Sequence, residues 1–188
     1  MGYREYAKDY EIEYVQVDGR RRPRAVRIYV GPYFRFRKSP ELIRKRKLQY
    51  LLLELLTALA LLTPMLIDCR FTRIWYVQVP ATAGWIPWLL AAGAVWRLWT
   101  VKDKAEREHY DLLHDRMRGA SFFLMGLTGI SALGSVVALV RETPAAADIA
   151  VCFCHLGALA CSAAMFALAK DLEMYPVENP EKPQANNG

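Results

Sequence analysis

The stretch ASFFLMGLTGISALGSVVALV, which runs from Ala120 to Val140, contains no charged residue. A helix needs about 20 predominantly apolar residues to cross the hydrocarbon core of a bilayer, so this stretch is long enough to do so. Three further stretches share its length and character, and the four candidate spans are residues 48–67, 81–101, 120–140 and 149–169. In lipid a segment has to satisfy its own backbone hydrogen bonds, which an α-helix does. The sequence therefore predicts an all-α membrane protein, a four-transmembrane-helix bundle made of two helical hairpins.

The polar parts of the chain divide into an arm, connecting loops and a tail. We expect a basic cytoplasmic arm over residues 1–40 and the four-helix transmembrane domain over residues 41–171. Residues 172–188 are polar and rich in proline, and segments of this composition bury too little apolar surface to fold alone. We therefore expect a disordered cytoplasmic tail there.

The arm contains two runs that are typical of β-strands. Residues 11–17 and 24–30 are rich in β-branched residues and tyrosine, and the segment between them contains the turn signal Asp18-Gly19. The sequence thus predicts a short β-hairpin, in which Glu11 and Glu13 face Arg24 and Arg27. An isolated two-stranded hairpin is only marginally stable in water. We expect it to pack against the loop of residues 102–118, a second copy of the chain, or a partner.

Positive charge is concentrated at the start of the chain. Residues 1–47 contain fourteen Lys and Arg against six Asp and Glu, whereas the remainder contains eleven against thirteen. The 102–118 loop is also richer in Lys and Arg than the 68–80 and 141–148 loops. Because Lys and Arg in short loops stay on the cytoplasmic side, both termini are predicted to be cytoplasmic. We expect a multi-pass protein of the inner (plasma) membrane.

The cations of the arm predict a surface for anionic lipid or for an acidic partner. Each such charge near an anionic leaflet contributes on the order of 1 kcal/mol. Nucleic acid is a weaker expectation, since no nucleic-acid-binding motif accompanies the arginine run. The candidate lipid- or partner-binding residues are Arg20, Arg21, Arg22, Arg24, Arg35, Arg37, Lys38, Arg44, Lys45, Arg46 and Lys47.

Two charged residues lie inside the apolar spans. Glu54 lies in the first span, and Arg97 lies at a similar depth in the second, which runs in the opposite direction. A charge within a membrane requires a partner or water. We predict an intramembrane ion pair between them, or a place for both on a transport path, whereas Arg97 could instead extend to the headgroups. Thr57 lies one turn from Glu54 and could hydrogen-bond nearby.

The four cysteines leave a disulfide open and argue against a metal site. Cys69 ends the first span on the side where Cys152 and Cys154 begin the fourth, so a disulfide from Cys69 to either is topologically possible. On a helix, Cys154 points away from the face that Cys152 shares with His155, which disfavours a metal site. Cys161 and His155 are predicted to be packing residues, the latter with one hydrogen bond. No metal or cofactor is predicted.

The most favoured function is non-enzymatic, because no catalytic motif is present. We expect an integral-membrane scaffold or accessory subunit of a larger complex, with membrane lipids and either copies of itself or another membrane subunit as partners. One alternative is a small oligomeric channel or transporter with Glu54 and Arg97 at the path. Another is a thiol- or quinone-linked membrane enzyme that uses Cys152, Cys154 or His155. Small residues in spans three and four predict that these two helices pack closely, or that one small face meets another subunit.

Overall fold

The computed structural model describes residues 6–15, 24–101, 104–141 and 143–177, without the side chains of Val15, Arg24 and Leu112. Four long helical stretches dominate it. They comprise five helices, namely α1 (Pro40–Leu66), α2 (Trp75–Ala83), α3 (Trp85–Thr100), α4 (Arg107–Arg141) and α5 (Ala146–Leu168). The pair α2–α3 forms one stretch, Trp75–Thr100, so that four helical stretches are long and apolar enough to cross a membrane.

Local sequence explains where the first helix begins. Ser39 precedes α1, Pro40 occupies its first turn and Glu41 adds an acid there, all of which favour a helix start. The helix then runs without interruption from the basic segment into the first predicted span. The second span begins earlier than predicted, at Trp75 instead of residue 81, and it is divided at Gly84.

The helices form a bundle in which α4 and α5 pack most extensively on each other. This confirms the expectation that these two helices pack closely on each other within one chain. Large apolar side chains fill the interior, among them Tyr50, Leu61, Leu98, Leu124 and Met165. Many others remain exposed on the outside, including Leu52, Ile86, Phe123, Leu133 and Phe153. Such an apolar exterior fits helices that face lipid.

Four short strands lie at the end of the bundle where α1 begins and α5 ends, which we call the arm end. Strand β1 (Tyr10–Val15) pairs antiparallel with β2 (Arg24–Tyr29), and β3 (Tyr33–Phe36) pairs antiparallel with β4 (Met174–Val177). The predicted hairpin is therefore confirmed, and its turn lies outside the described residues. The prediction of disorder from residue 172 onward is wrong as far as Val177, because β3 provides a pairing partner; residues 178–188 lie outside the described residues.

The register of the hairpin does not place the predicted charge pairs directly opposite each other, and Arg24, whose side chain lies outside the described part, is opposite Val15. Glu11 lies opposite Ile28 and Glu13 lies opposite Val26. Arg27 lies opposite Ile12, on the other face of the hairpin. The pleat sends successive side chains to opposite faces, so a shift of one residue in register exchanges every cross-strand neighbour.

Candidate functional site

The strands at the arm end belong to a folded layer built from three parts of the chain. We call this layer the arm module and define it as residues 6–15, 24–36, 104–111 and 173–177. It combines the N-terminal arm, the segment between α3 and α4, and the segment after α5. The arm hairpin thus packs on the segment that connects the second and third spans, which was the first of its three predicted supports.

Tyrosine hydroxyls fix the hairpin to the start of α4. Tyr10 donates a hydrogen bond of 2.5 Å to Oε2 of Glu106, and Tyr6 donates one of 3.1 Å to Oδ2 of Asp111. The backbone N–H of Arg107 donates to the hydroxyl of the buried Tyr29 at 2.9 Å. Burial and the neighbouring Glu106 raise the pKa of Tyr10, so its phenol remains a donor at neutral pH. These anchors were not found in the sequence, although tyrosines in the arm and acids in the 102–118 segment were a usable signal.

The third strand is held from both sides. Besides its pairing with β4, Phe34 exchanges backbone hydrogen bonds of 2.8 and 2.9 Å with Ala105. The ring of Phe34 stacks on Tyr110 with centroids 4.5 Å apart and planes at 5°. The ammonium of Lys104 lies 5.3 Å from the centre of the Tyr33 ring. The arm module is therefore a cross-connected layer whose parts are far apart in sequence.

The hairpin nevertheless exposes apolar side chains. Ile12 is 59% exposed and Tyr14 is 70% exposed, and both lie on the same face of β1. In the described part of the chain, β1 and β2 pair only with each other, so the outer edge of each strand is unpaired. An exposed apolar strand edge is a template for a further strand. The arrangement can bind an extended segment of polypeptide.

The predicted basic residues fall into separate groups. Nη2 of Arg46 lies 2.6 Å from Oδ2 of Asp171, and Nη1 of Arg37 lies 4.0 Å from Oε2 of Glu173, so the segment after α5 compensates these two charges. Lys45 is exposed on α1. Arg20, Arg21 and Arg22 lie outside the described residues, as does the side chain of Arg24. The remaining four line a groove with Trp99, namely Arg35, Lys38, Arg44 and Lys47.

Glu54 and Arg97 do not form the predicted ion pair. Glu54 is 4% exposed, and neither of its carboxylate oxygens has a hydrogen-bond partner among the described residues. Helix α3 turns Ala94 and Leu98 toward the core, which leaves Arg97 partly exposed beside that face. The hydroxyl of Thr57 donates to the carbonyl of Leu53 in its own helix, so it does not serve Glu54.

A line of hydroxyl groups on α4 connects it to its neighbours. The hydroxyls of Thr128 and Ser162 lie 3.2 Å apart, and Ser131 donates to the carbonyl of Val77 at 3.0 Å. Ser135 Oγ lies 2.7 Å from Nδ1 of His155, which confirms the prediction of a packing histidine with one hydrogen bond. A serine beside a histidine is also the pattern of an activated nucleophile. Here both side chains are fully buried and Ser135 donates to the carbonyl of Ser131, so the pair joins helices.

All four cysteines are free thiols in the structure, so the predicted disulfide of Cys69 with Cys152 or Cys154 is not formed. Cys69 packs beside Cys152, but its thiol hydrogen-bonds to the carboxylate of Asp148. The thiol of Cys154 bonds to Thr63. Among the described residues, no three His, Cys, Asp or Glu side chains come together in the manner of metal ligands.

The fold defines a class: a mostly helical protein with four helical stretches suited to a membrane and a small strand layer at one end. The chain matches no protein-family model, no curated protein and no solved structure.

Proposed function

We propose that this protein is a non-enzymatic membrane adaptor, an accessory subunit that holds a partner protein at the membrane surface. Four spans would anchor it, and the arm module would bind the partner. The observation that carries the proposal is the contrast within the hairpin. Its base is fixed by Tyr10 and Tyr29, whereas Ile12 and Tyr14 are presented to solvent.

The energetics of a hairpin support this function. Two strands alone are marginally stable, and a third strand with a covered apolar face adds independent stability. Complete burial of an apolar side chain contributes roughly 1.5–3 kcal/mol. Covering Ile12 and Tyr14 would therefore supply much of the affinity of a modest interface.

The chemistry around the exposed face defines the partner. The sequence between the two strands contains Arg20, Arg21 and Arg22. An extended segment with alternating apolar and acidic residues complements both the apolar face and the positive charge. We therefore propose that the hairpin binds such a segment of a different protein as an added strand.

A photo-crosslinking amino acid at position 14 tests the proposal in cells. The matched control carries it at Tyr175, which is also exposed and lies in the same arm module on β4. We expect one adduct of defined mass from position 14, none from position 175, and loss of the adduct in Ile12→Asp. The captured segment, identified by mass spectrometry and synthesised, should bind the purified protein and fail to bind Ile12→Asp.

Two outcomes would overturn the adaptor proposal. One is a monomer in native mass spectrometry together with no defined adduct from position 14. The other is an adduct that contains only a second copy of this chain, which would make the hairpin a self-association surface. Unfolding temperatures of Ile12→Asp and the parent chain control for a loss of fold.

Glu54 favours a second candidate function, a small oligomeric ion or proton path. A buried carboxyl without a hydrogen-bond partner inside a bundle is energetically unfavourable, and such groups commonly mark transport sites. Proton flux into liposomes that contain the purified protein tests this candidate. Flux that disappears in Glu54→Gln but persists in Arg97→Ala would support it, and flux that is equal in Glu54→Gln and the parent would remove Glu54 from any path.

A further inference from the structure

A groove of about 530 Å³ opens at the arm end, between β3, the start of α1 and the end of α3. Its volume lies within the range of small-molecule sites. Among the described residues, four cations and four other side chains line it: Arg35, Lys38, Arg44, Lys47, Phe36, Pro40, Ile43 and Trp99. None of these eight is acidic. The groove is separate from the exposed face of the arm hairpin.

Three of the four cations of the groove lack an ion pair in the part of the chain that the structure describes. Arg35, Lys38 and Arg44 form no ion pair within the described part of the chain. The adjacent Arg46 and Arg37, in contrast, face Asp171 and Glu173. The segment after α5 thus neutralises Arg46 and Arg37, whereas Arg35, Lys38 and Arg44 are available to an external anion.

The groove also has an apolar side that continues onto the bundle. Ile43 and Trp99 line it, and Trp99 is about half exposed. Leu48 and Leu52 follow Arg44 at intervals of four residues, so they lie below it on the same face of α1. Both leucines are about half exposed. A ligand with an anionic head and a hydrocarbon chain would meet cations and leucines in that order.

We propose that this groove binds the phosphate headgroup of an anionic phospholipid, whose acyl chains lie along the exposed leucines of α1. The guanidinium groups of Arg35 and Arg44 suit the tetrahedral phosphate, since arginine offers parallel N–H donors. Lys47 donates to the carbonyl of Val101, which ties the wall of the groove to the end of α3. The groove also includes the N-terminus of α1, where the helix dipole favours an anion. The site requires only a membrane and is independent of the adaptor role.

Native mass spectrometry of the full chain in detergent tests the site. The probes are phosphatidylglycerol and phosphatidylcholine with identical acyl chains. We expect preferential retention of phosphatidylglycerol, with affinity falling about fivefold for each cation removed in Arg35→Gln and Arg44→Gln. Lys45→Gln removes an equal charge from the same helix outside the groove, and it should bind as the parent does. Equal retention of the two lipids would overturn the proposal. So would an unchanged affinity for phosphatidylglycerol in the variant that combines Arg35→Gln and Arg44→Gln.

A second measurement, the unfolding temperature, distinguishes a lipid from a soluble phosphate ester. It also shows whether each variant is folded. Phosphatidylglycerol should raise the unfolding temperature of the parent and of Lys45→Gln, and it should raise that of Lys38→Gln less. Glycerol 3-phosphate should neither reproduce this increase nor displace the lipid. If glycerol 3-phosphate raised the unfolding temperature as much as the lipid does, the groove would be a site for a soluble ester. That result would overturn the lipid proposal. Neither assay contains a partner protein, so failure here leaves the adaptor proposal standing.

Discussion

The hydroxyl of Ser135 lies 2.7 Å from Nδ1 of His155, and neither side chain reaches solvent. The hydroxyl of Ser135 also lies within hydrogen-bond distance of the carbonyl of Ser131, one turn earlier in α4. The contact joins α4 to α5, the most extensively packed pair of helices in the bundle.

Ser135→Ala should therefore weaken the contact between α4 and α5. Hydrogen bonds between membrane helices contribute on average about 0.6 kcal/mol and reach about 1.7 kcal/mol. A double-mutant cycle with His155→Ala, measured by unfolding in detergent, isolates the coupling. We expect a positive coupling energy of that size. Additive single effects would show that the two side chains do not stabilise each other.

Gly134 provides a steric test of the same helix. A Cβ atom at this position would lie 3.1 Å from a ring carbon of Tyr76 and 3.2 Å from Cγ2 of Val77. Gly134→Val should separate α2 from α4 and destabilise the protein by roughly 1–3 kcal/mol, the usual effect of overpacking. Gly126→Val is the matched control on α4, since a Cβ at Gly126 meets nothing within 4 Å. Equal unfolding temperatures for the two variants would contradict the close approach of α2.

The positions of the spans could be predicted from apolar length, but the first part of the second span could not. Gln78 and Pro80 lower the apolar character of Trp75–Ala83, and tertiary contacts with α4, such as that of Val77 with Ser131, show that this segment belongs to the bundle. Residues 174–177 were missed for a related reason. Met174–Val177 is a strand only because β3 lies beside it, and such pairing between distant segments leaves little trace in local sequence.

The same limit applies to charged residues. Sequence position places Glu54 and Arg97 at similar depths, but it does not determine the rotation of α3 about its axis, which leaves Arg97 outside the core. The cations of the arm could be predicted as a group. Which of them are neutralised depends on Asp171 and Glu173, more than 120 residues further along the chain, and therefore on the tertiary fold.

Tyr10 makes the attachment of the hairpin sensitive to strongly alkaline pH. Burial, followed by the hydrogen bond to Glu106, raises its pKa above the ordinary value of about 10. A raised pKa means that the folded state favours the protonated phenol, so this stabilisation is complete below about pH 10 and is lost as pH rises through the folded-state pKa. Hydrogen exchange of the backbone in β1 should therefore accelerate above pH 10, beyond the intrinsic effect of pH.

Tyr10→Phe should produce the same acceleration at neutral pH, because it removes the donor to Glu106 and leaves the ring. Tyr14→Phe is the matched control, since Tyr14 is exposed on the same strand. Hydrogen–deuterium exchange of β1 in the two variants measures the difference. Identical protection in both would show that the hydroxyl of Tyr10 does not hold the hairpin to α4.

Asp148 joins two segments of the chain at the end of the bundle opposite the arm end. Its Oδ1 accepts the backbone N–H groups of Arg70 and Phe71 at 3.1 and 3.4 Å, and its Oδ2 accepts that of Ala145 at 3.0 Å. One buried carboxylate therefore satisfies donors in the loop after α1 and caps the start of α5. Removal of such an acceptor leaves buried donors without partners, at a cost of about 1–3 kcal/mol.

Asp148→Ala should lower the free energy of unfolding by at least that amount, since several donors lose their acceptor together. Asp68→Ala offers a matched control in the same loop, where the carboxylate bonds to Arg73 at 2.9 Å on the surface. An exposed pair of this kind contributes about 0–1 kcal/mol, because water solvates both charges and competes with the contact. The free energies of unfolding of the two variants, measured in the same detergent, should therefore differ clearly. If Asp68→Ala proved as destabilising as Asp148→Ala, the loop would depend on its surface charges instead of the buried carboxylate.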